Sequence, residues 1–206
     1  QKWLVRTDRF GATTFGLAND QLRHIKKIKY RLNGHRDKAA KFSISALTRK
    51  GYRFDTCVYG AHLFSPEKDT FLTESEKAAV ICSFLFPQFN FLATGGSKGI
   101  SKSDAPRKLQ FLSQAKGRIV ILGDNDKAGR ESDLPRKLTS AGIKSFYHIT
   151  EYPQSEKDSG DDIVDILERF SSFDLEAFFN DHVRRIEKRR EEENKRYEVA
   201  YRNLFR

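Results

Sequence analysis

The sequence predicts an α/β protein: a four-stranded, mostly parallel sheet with flanking helices, preceded by a small basic β-rich subdomain. Three observations carry this. From residue 68 onward, short apolar runs and helical stretches alternate as strand, helix, strand, helix, strand, helix, strand, the order that builds a parallel sheet with helices on both faces. The run IVIL at 119–122 is unbroken in apolar character, as suits a strand covered on both sides. Residues 1–67 contain no long helical period and are punctuated by glycine turns.

In that first region TTFGLA (13–18), IKKIKYRL (25–32) and RFDTCVYG (53–60) read as short strands, with turns at Gly16, Asn33–Gly34 and Gly51. In the second of these, Ile28, Tyr30 and Leu32 alternate with Lys27, Lys29 and Arg31. That spacing is a half-buried strand with a basic wet face. Such a face either tracks a phosphate backbone or is an ordinary solvated surface.

The elements of the parallel sheet follow. TFLTE (70–74) is a strand, and SEKAAVICSFLF (75–86) a helix with Ser75 as its cap and Pro87 as its stop. Cys82 falls among apolar residues of that helix and belongs to the core. FNFLAT (89–94) is the second strand, and GGSKGISKSD (95–104) a glycine-rich loop whose N–H groups can face phosphate. APRKLQFLSQA (105–115) is a helix capped by Asp104 or Ser103, and RIVILGD (118–124) the third strand. Residues 127–142 read as one helix, disturbed at Pro135 and ending in Gly142. KSFYHIT (144–150) is the fourth strand, followed by a loop, a helix at 161–170 and another at 173–183. The charged stretch 183–206 reads as an exposed terminal helix or linker. The expected domains are thus 1–67, 68–182 and 183–206.

Charge is unevenly spread. Residues 1–60 hold fourteen Lys/Arg against four Asp, residues 61–182 carry about −4, and residues 183–206 about +4. Basic flanks attract polyanions and speed encounter with them, so nucleic acid is the expected partner. No window approaches eighteen apolar residues, so no membrane span is expected. Two cysteines, Cys57 and Cys82, exclude a disulfide framework or a zinc knot and point to a reducing compartment, the cytoplasm. A chain that begins at Gln1 without any Met is expected to be a fragment or a processed form.

Chemistry is concentrated in acids. Asp124 and Asp126 stand two apart just past a buried strand, and Glu74 ends another. Ligands of open α/β sheets meet the carboxyl ends of the strands. If these two strands are neighbours, three carboxylates converge there and repel one another unless a cation is present. Oxygen-only ligands suit Mg²⁺ or Mn²⁺, and such ions serve phosphoryl and nucleotidyl transfer. A lone D-x-D is equally a turn or a helix cap.

TESEKAA (73–79), ILGDNDKAG (121–129) and GDDIVDIL (160–167) together resemble the TOPRIM domain. That metal-binding catalytic domain is shared by bacterial-type primases, phage primase–helicases, type IA and type II topoisomerases and some nucleases. Glu74 matches the family's glutamate, Asp124 and Asp126 its D-x-D, and Asp162 and Asp165 its later acidic segment, with Asp161 where lysine is common. The finer likeness is to primase-like proteins of Bacteroidetes mobile elements. The resemblance covers residues 68–170 and implies a TOPRIM-like Rossmannoid fold. It further implies catalytic Glu74, Asp124 and Asp126, with metal held by these and Asp162. Lys98, Lys127 and Arg130 are then candidates to meet nucleotide or phosphate, and Lys27, Lys29 and Arg31 to meet nucleic acid. The implied activity is metal-dependent primer synthesis on single-stranded DNA from nucleotides, as a DNA primase in replication. A replicative helicase or a separate zinc-binding module is the implied partner. A TOPRIM-type nuclease and a non-catalytic binding module are the alternatives.

Overall fold

The structure, a computed structural model, describes residues 3, 5–7, 13–16, 28–32, 35–36, 57–96, 99–152, 155–170 and 173–204. Strands β1 (Val5–Thr7), β2 (Thr13–Gly16), β3 (Ile28–Leu32) and β4 (His35–Arg36) form an antiparallel sheet in that order. Leu32 opposes His35, three residues further along the chain. Strands β1 and β4 were not anticipated, because three and two residues carry too little alternation to register as a pattern.

The stretch 53–60, expected as a strand, is not one in its described part. Residues 57–60 make a single antiparallel bridge, with Tyr59 opposite Ala93. Tyr59 is fully buried; its hydroxyl donates to the Trp3 carbonyl at 2.6 Å, and its ring meets Trp3 and Phe15 at centroid distances of 5.5 and 6.1 Å. This residue therefore joins the N-terminal segment to the edge of the larger sheet.

That larger sheet comprises β5 (Thr70–Thr73), β6 (Asn90–Ala93), β7 (Ile119–Leu122) and β8 (Tyr147–Ile149), all parallel, in the order β6-β5-β7-β8. Residues of β5, β6 and β7 are buried along their whole length, so their apolar runs need no polar face. Helix α1 (Glu76–Leu85) connects β5 to β6; Ser75 caps it by accepting from the Ala78 amide at 3.0 Å. Helix α2 (Ala105–Leu109) connects β6 to β7. Helices α3 (Lys127–Arg130) and α4 (Leu134–Ser140) connect β7 to β8. Leu72, Leu92, Ile119 and Ile121 share one core with Ala105, Leu109, Leu134 and Leu138. Burying each such leucine is worth about 1.5–3 kcal/mol. Phe71 and Phe91, one residue out of register with Leu72 and Leu92, stack at 5.1 Å on the opposite face.

Several boundaries differ from expectation. The helix expected over 127–142 is two helices, and Pro135 lies in the first turn of α4, where its missing N–H costs nothing. The stretch 105–115 is α2 followed by a 3₁₀ segment, Gln110–Gln114. Helix α5 (Ile163–Arg169) is as expected, but the two segments expected to part at residue 183 are joined in one helix, α6 (Leu175–Leu204), which runs unbroken through that residue. The chain divides into two compact units, Gln1–Ile166 and Leu167–Arg206. Within the second, Phe178 packs on Phe173 and His182, and Arg185 pairs with Asp181 at 2.6 Å. Among the described residues no helix is long and apolar enough to cross a membrane.

Candidate functional site

Strand order determines where the site can form. The crossover from β5 leads away to β6, and the one from β7 leads away to β8 on the other side. The carboxyl ends of β5 and β7 are therefore the switch point, where a crevice opens. Thr73 pairs with Leu122 there, so Glu74 and the turn beginning at Gly123 leave the sheet side by side. The Glu74 carbonyl accepts from the amides of Gly95 and Gly96 at 3.1 and 2.8 Å. Both glycines have φ near +90° (86° and 98°), a backbone other residues adopt at a cost. Those amides, and that of Gly99, which donates to the Gly96 carbonyl at 2.8 Å, are used within the loop rather than turned toward a phosphate.

The turn after β7 is held from several sides. The Gly123 amide donates to Ile149, extending the β7–β8 pairing, and its carbonyl accepts from the buried Tyr152 hydroxyl at 2.9 Å. Asp126 caps α3, one carboxylate oxygen accepting from the Gly129 amide at 2.6 Å. A Cβ on Gly129 would lie 2.1 Å from the Asp124 carbonyl oxygen, so only glycine lets α3 turn back this tightly. Asn125 pairs with the later loop: its amide donates to the Asp161 carbonyl at 2.8 Å, and its carbonyl accepts from Gly160 at 3.0 Å.

That pairing brings the third acidic segment to the second. Asp162 and Asp165 form a reciprocal cap on α5. One Asp162 oxygen accepts from the amides of Val164 and Asp165 at 2.8 and 3.1 Å, and one Asp165 oxygen accepts from the Asp162 amide at 2.9 Å. The plain role of a helix cap and a place in the acid cluster thus fall on the same side chains.

The electrostatics report the convergence. Asp124 has its carboxyl pushed up to about 7, first by burial and then by the charges of Glu74, Asp162, Asp126 and Asp165. Asp162 is raised by burial and by Asp165, against the two amides it accepts from and the nearby Lys77 ammonium. Burial raises Tyr152 as well, with Asp124 and Asp162 adding to it. Cys82, buried in α1 as expected, is pushed up to about 12 by burial and by Asp162. So acids from three separate segments share one end of the sheet. Among the described residues, however, no three His, Cys, Asp or Glu side chains are grouped so as to hold a metal ion.

The donors are nonetheless the right kind. They are carboxylate oxygens, and their mutual repulsion favours a cation between them. Magnesium keeps several waters and is bound through one or two carboxylates, so it does not require a closed cage of three.

The expected basic contacts are distributed differently. Lys127 is exposed and lies 3.8 Å from Glu131. Arg130 is ion-paired with Asp158, whose carboxyl it holds below the usual range. Lys29 and Arg31 lie on β3, opposite Phe15 and Thr13. Lys27 and Lys98 lie outside the described residues. Sequence reasoning missed Asn125 and Tyr152. Neither is charged, and nothing in their spacing announces that one ties two acidic segments together and the other supports the turn from beneath.

A family model described as a domain of unknown function, DUF6371, matches residues 5–124. The chain belongs to this family. The DUF6371 match takes in the N-terminal sheet, Glu74 and Asp124, and stops before Asp126 and the third acidic segment. No curated protein matches the chain. Among solved structures, it is similar to the primase fragment of the bacteriophage T7 primase–helicase. The likeness is 16% identity and a TM-score of 0.47, over 89% of this chain and 65% of that one. It is also similar to a structure of the T7 lagging-strand DNA polymerase interacting with primase domains bound to an RNA/DNA hybrid and dTTP. Here the identity is 15% and the TM-score 0.45, over 76% of this chain and 72% of that one.

Proposed function

We propose that this DUF6371 protein is a primase-like nucleotidyltransferase that uses a divalent cation, Mg²⁺ or Mn²⁺, to join nucleotides on a single-stranded DNA template. The observation that supports the reading is the adjacency of β5 and β7, which sets Glu74 beside the turn bearing Asp124 and Asp126, with the segment before Asp162 paired to that turn through Asn125. The order of these four acids in the chain matches the TOPRIM motifs they resemble. One or two of these four carboxylates would hold the ion, and the others would add negative charge around it. When bound, a divalent cation neutralises phosphate charge and readies a hydroxyl for attack on phosphorus.

The chain's own residues contribute the rest. Tyr152 and Asn125 keep Asp124 at the mouth of the crevice. The basic residues of 1–60, Lys29 and Arg31 among them, supply the charge that draws in a polyanion. A phosphate at Arg130 would compete with Asp158 for its guanidinium.

A second reading, a nucleic-acid-binding module without catalysis, is favoured by one observation: Asp126, Asp162 and Asp165 already serve as helix caps. One assay separates the two. Single-stranded template, ribo- or deoxyribonucleotides and Mg²⁺ or Mn²⁺ are incubated with the protein and with a variant carrying Asp124→Asn and Asp126→Asn. Extended products made by the parent alone support the transferase. A shortened template supports a nuclease. Retardation that the variant reproduces supports the binding module.

A further inference from the structure

We propose that Asn125 is a positioning residue: it straps the 155–161 loop to the turn after β7 and so sets Asp162 against Asp124. This rests on reading that edge of the sheet as a cation site. Strand β8 ends at Ile149 and α5 begins at Ile163, so Asp162 lies outside the sheet and the segment before it must be brought back to β7. The contacts that do so centre on one residue. Besides its two backbone bonds to Gly160 and Asp161, the Asn125 side-chain amide donates to the Ser155 hydroxyl and to the Glu156 carbonyl, both at 2.9 Å.

The chemistry of these partners explains why asparagine stands here. A carbonyl can only accept, so the atom facing Glu156 must be the NH₂ group. Aspartate would set an acceptor against an acceptor, and alanine would release the far end of the loop while leaving the backbone bonds in place. Asn125 is 2% exposed, and its side-chain oxygen is buried without a hydrogen-bond partner among the described residues. A buried amide oriented at the cost of an unsatisfied oxygen is held for its donors. Asp161 belongs to the same strap. It is buried, and one of its oxygens accepts from the Ser155 hydroxyl at 2.7 Å, which accounts for an acid standing where the resembling motif has lysine. The ion pair of Arg130 with Asp158 ties the loop a second time, at its outer side.

The test titrates Mn²⁺ alone into the full chain, by calorimetry, for the parent, Asn125→Ala, Asp162→Asn and the double variant. Outer residues that orient metal-binding carboxylates typically cost about 10–100-fold in affinity when removed. Asn125→Ala is expected to bind Mn²⁺ about tenfold more weakly. In the Asp162→Asn background the same change is expected to cost nothing further, because Asn125 acts through Asp162. Parent-like affinity in Asn125→Ala, or losses that add in the double variant, overturns the inference while leaving the cation site intact. A parent that binds no Mn²⁺ overturns the cation reading itself. If Asn125→Ala fails to fold, Ser155→Ala removes one of its two side-chain partners, and an unchanged Mn²⁺ affinity there is equally decisive against the strap.

Discussion

Replacing Asp124 with asparagine should stabilise the cation-free protein at alkaline pH while abolishing activity. The folded carboxyl titrates at about 7 instead of 3.8. Between those values the folded state holds a proton that the unfolded state has released. Stability therefore falls as pH rises through this window and stays at its lowest above it. Each pH unit is worth about 1.4 kcal/mol, so a window of roughly three units would cost about 4 kcal/mol if the group were fully shielded. Asp124 is only half-buried, and water screens part of the repulsion, leaving about 2 kcal/mol. For a chain of this size that corresponds to about 4–8 °C in melting temperature. The assay is thermal unfolding with chelator at pH 4, 6 and 8, followed by the same series with Mn²⁺. Asp124→Asn is expected to melt above the parent at pH 8, with the gap closing by pH 4. Mn²⁺ should raise the parent and leave the variant largely unmoved. A variant less stable than the parent at pH 8, or a gap that ignores pH, would refute the crowding of acids around Asp124.

Two further outcomes follow from the same geometry and charge. Gly129→Ala places a methyl 2.1 Å from the Asp124 carbonyl oxygen. It should cost at least about 3 kcal/mol in urea unfolding; an unchanged midpoint would mean that α3 relaxes freely. Lys29→Ala combined with Arg31→Ala should weaken single-stranded DNA binding and reduce the log–log salt slope by about 1.4. Unaltered affinity and slope would place the nucleic-acid track elsewhere.

Local pattern carried the parallel sheet. Strand β7 announces itself through the unbroken run IVIL at 119–122, where all four positions are buried and apolar. Capping was legible too, as at Ser75, because a cap is decided within one helical turn. Elements below that scale were not: β1 and β4 are too short to show a period, and whether residues 57–60 form a strand depends on the distant edge of β6. Helix ends were misplaced where proline at 135 was read as a disturbance, whereas it sits in the opening turn of α4.

The sequence by itself determined the identity of the acids, their order, and the certainty that such charges cannot lie unpartnered in a core. Only the tertiary structure decided that they meet. Glu74 and Asp124 are neighbours because β5 and β7 are adjacent across a reversal of strand order, a relation between segments 50 residues apart. Asp162 joins them because an uncharged asparagine finds its donors' partners in a loop 30 residues later. Periodicity and propensity act over a few residues. The electrostatics of the site act through space, and space is assigned by the fold.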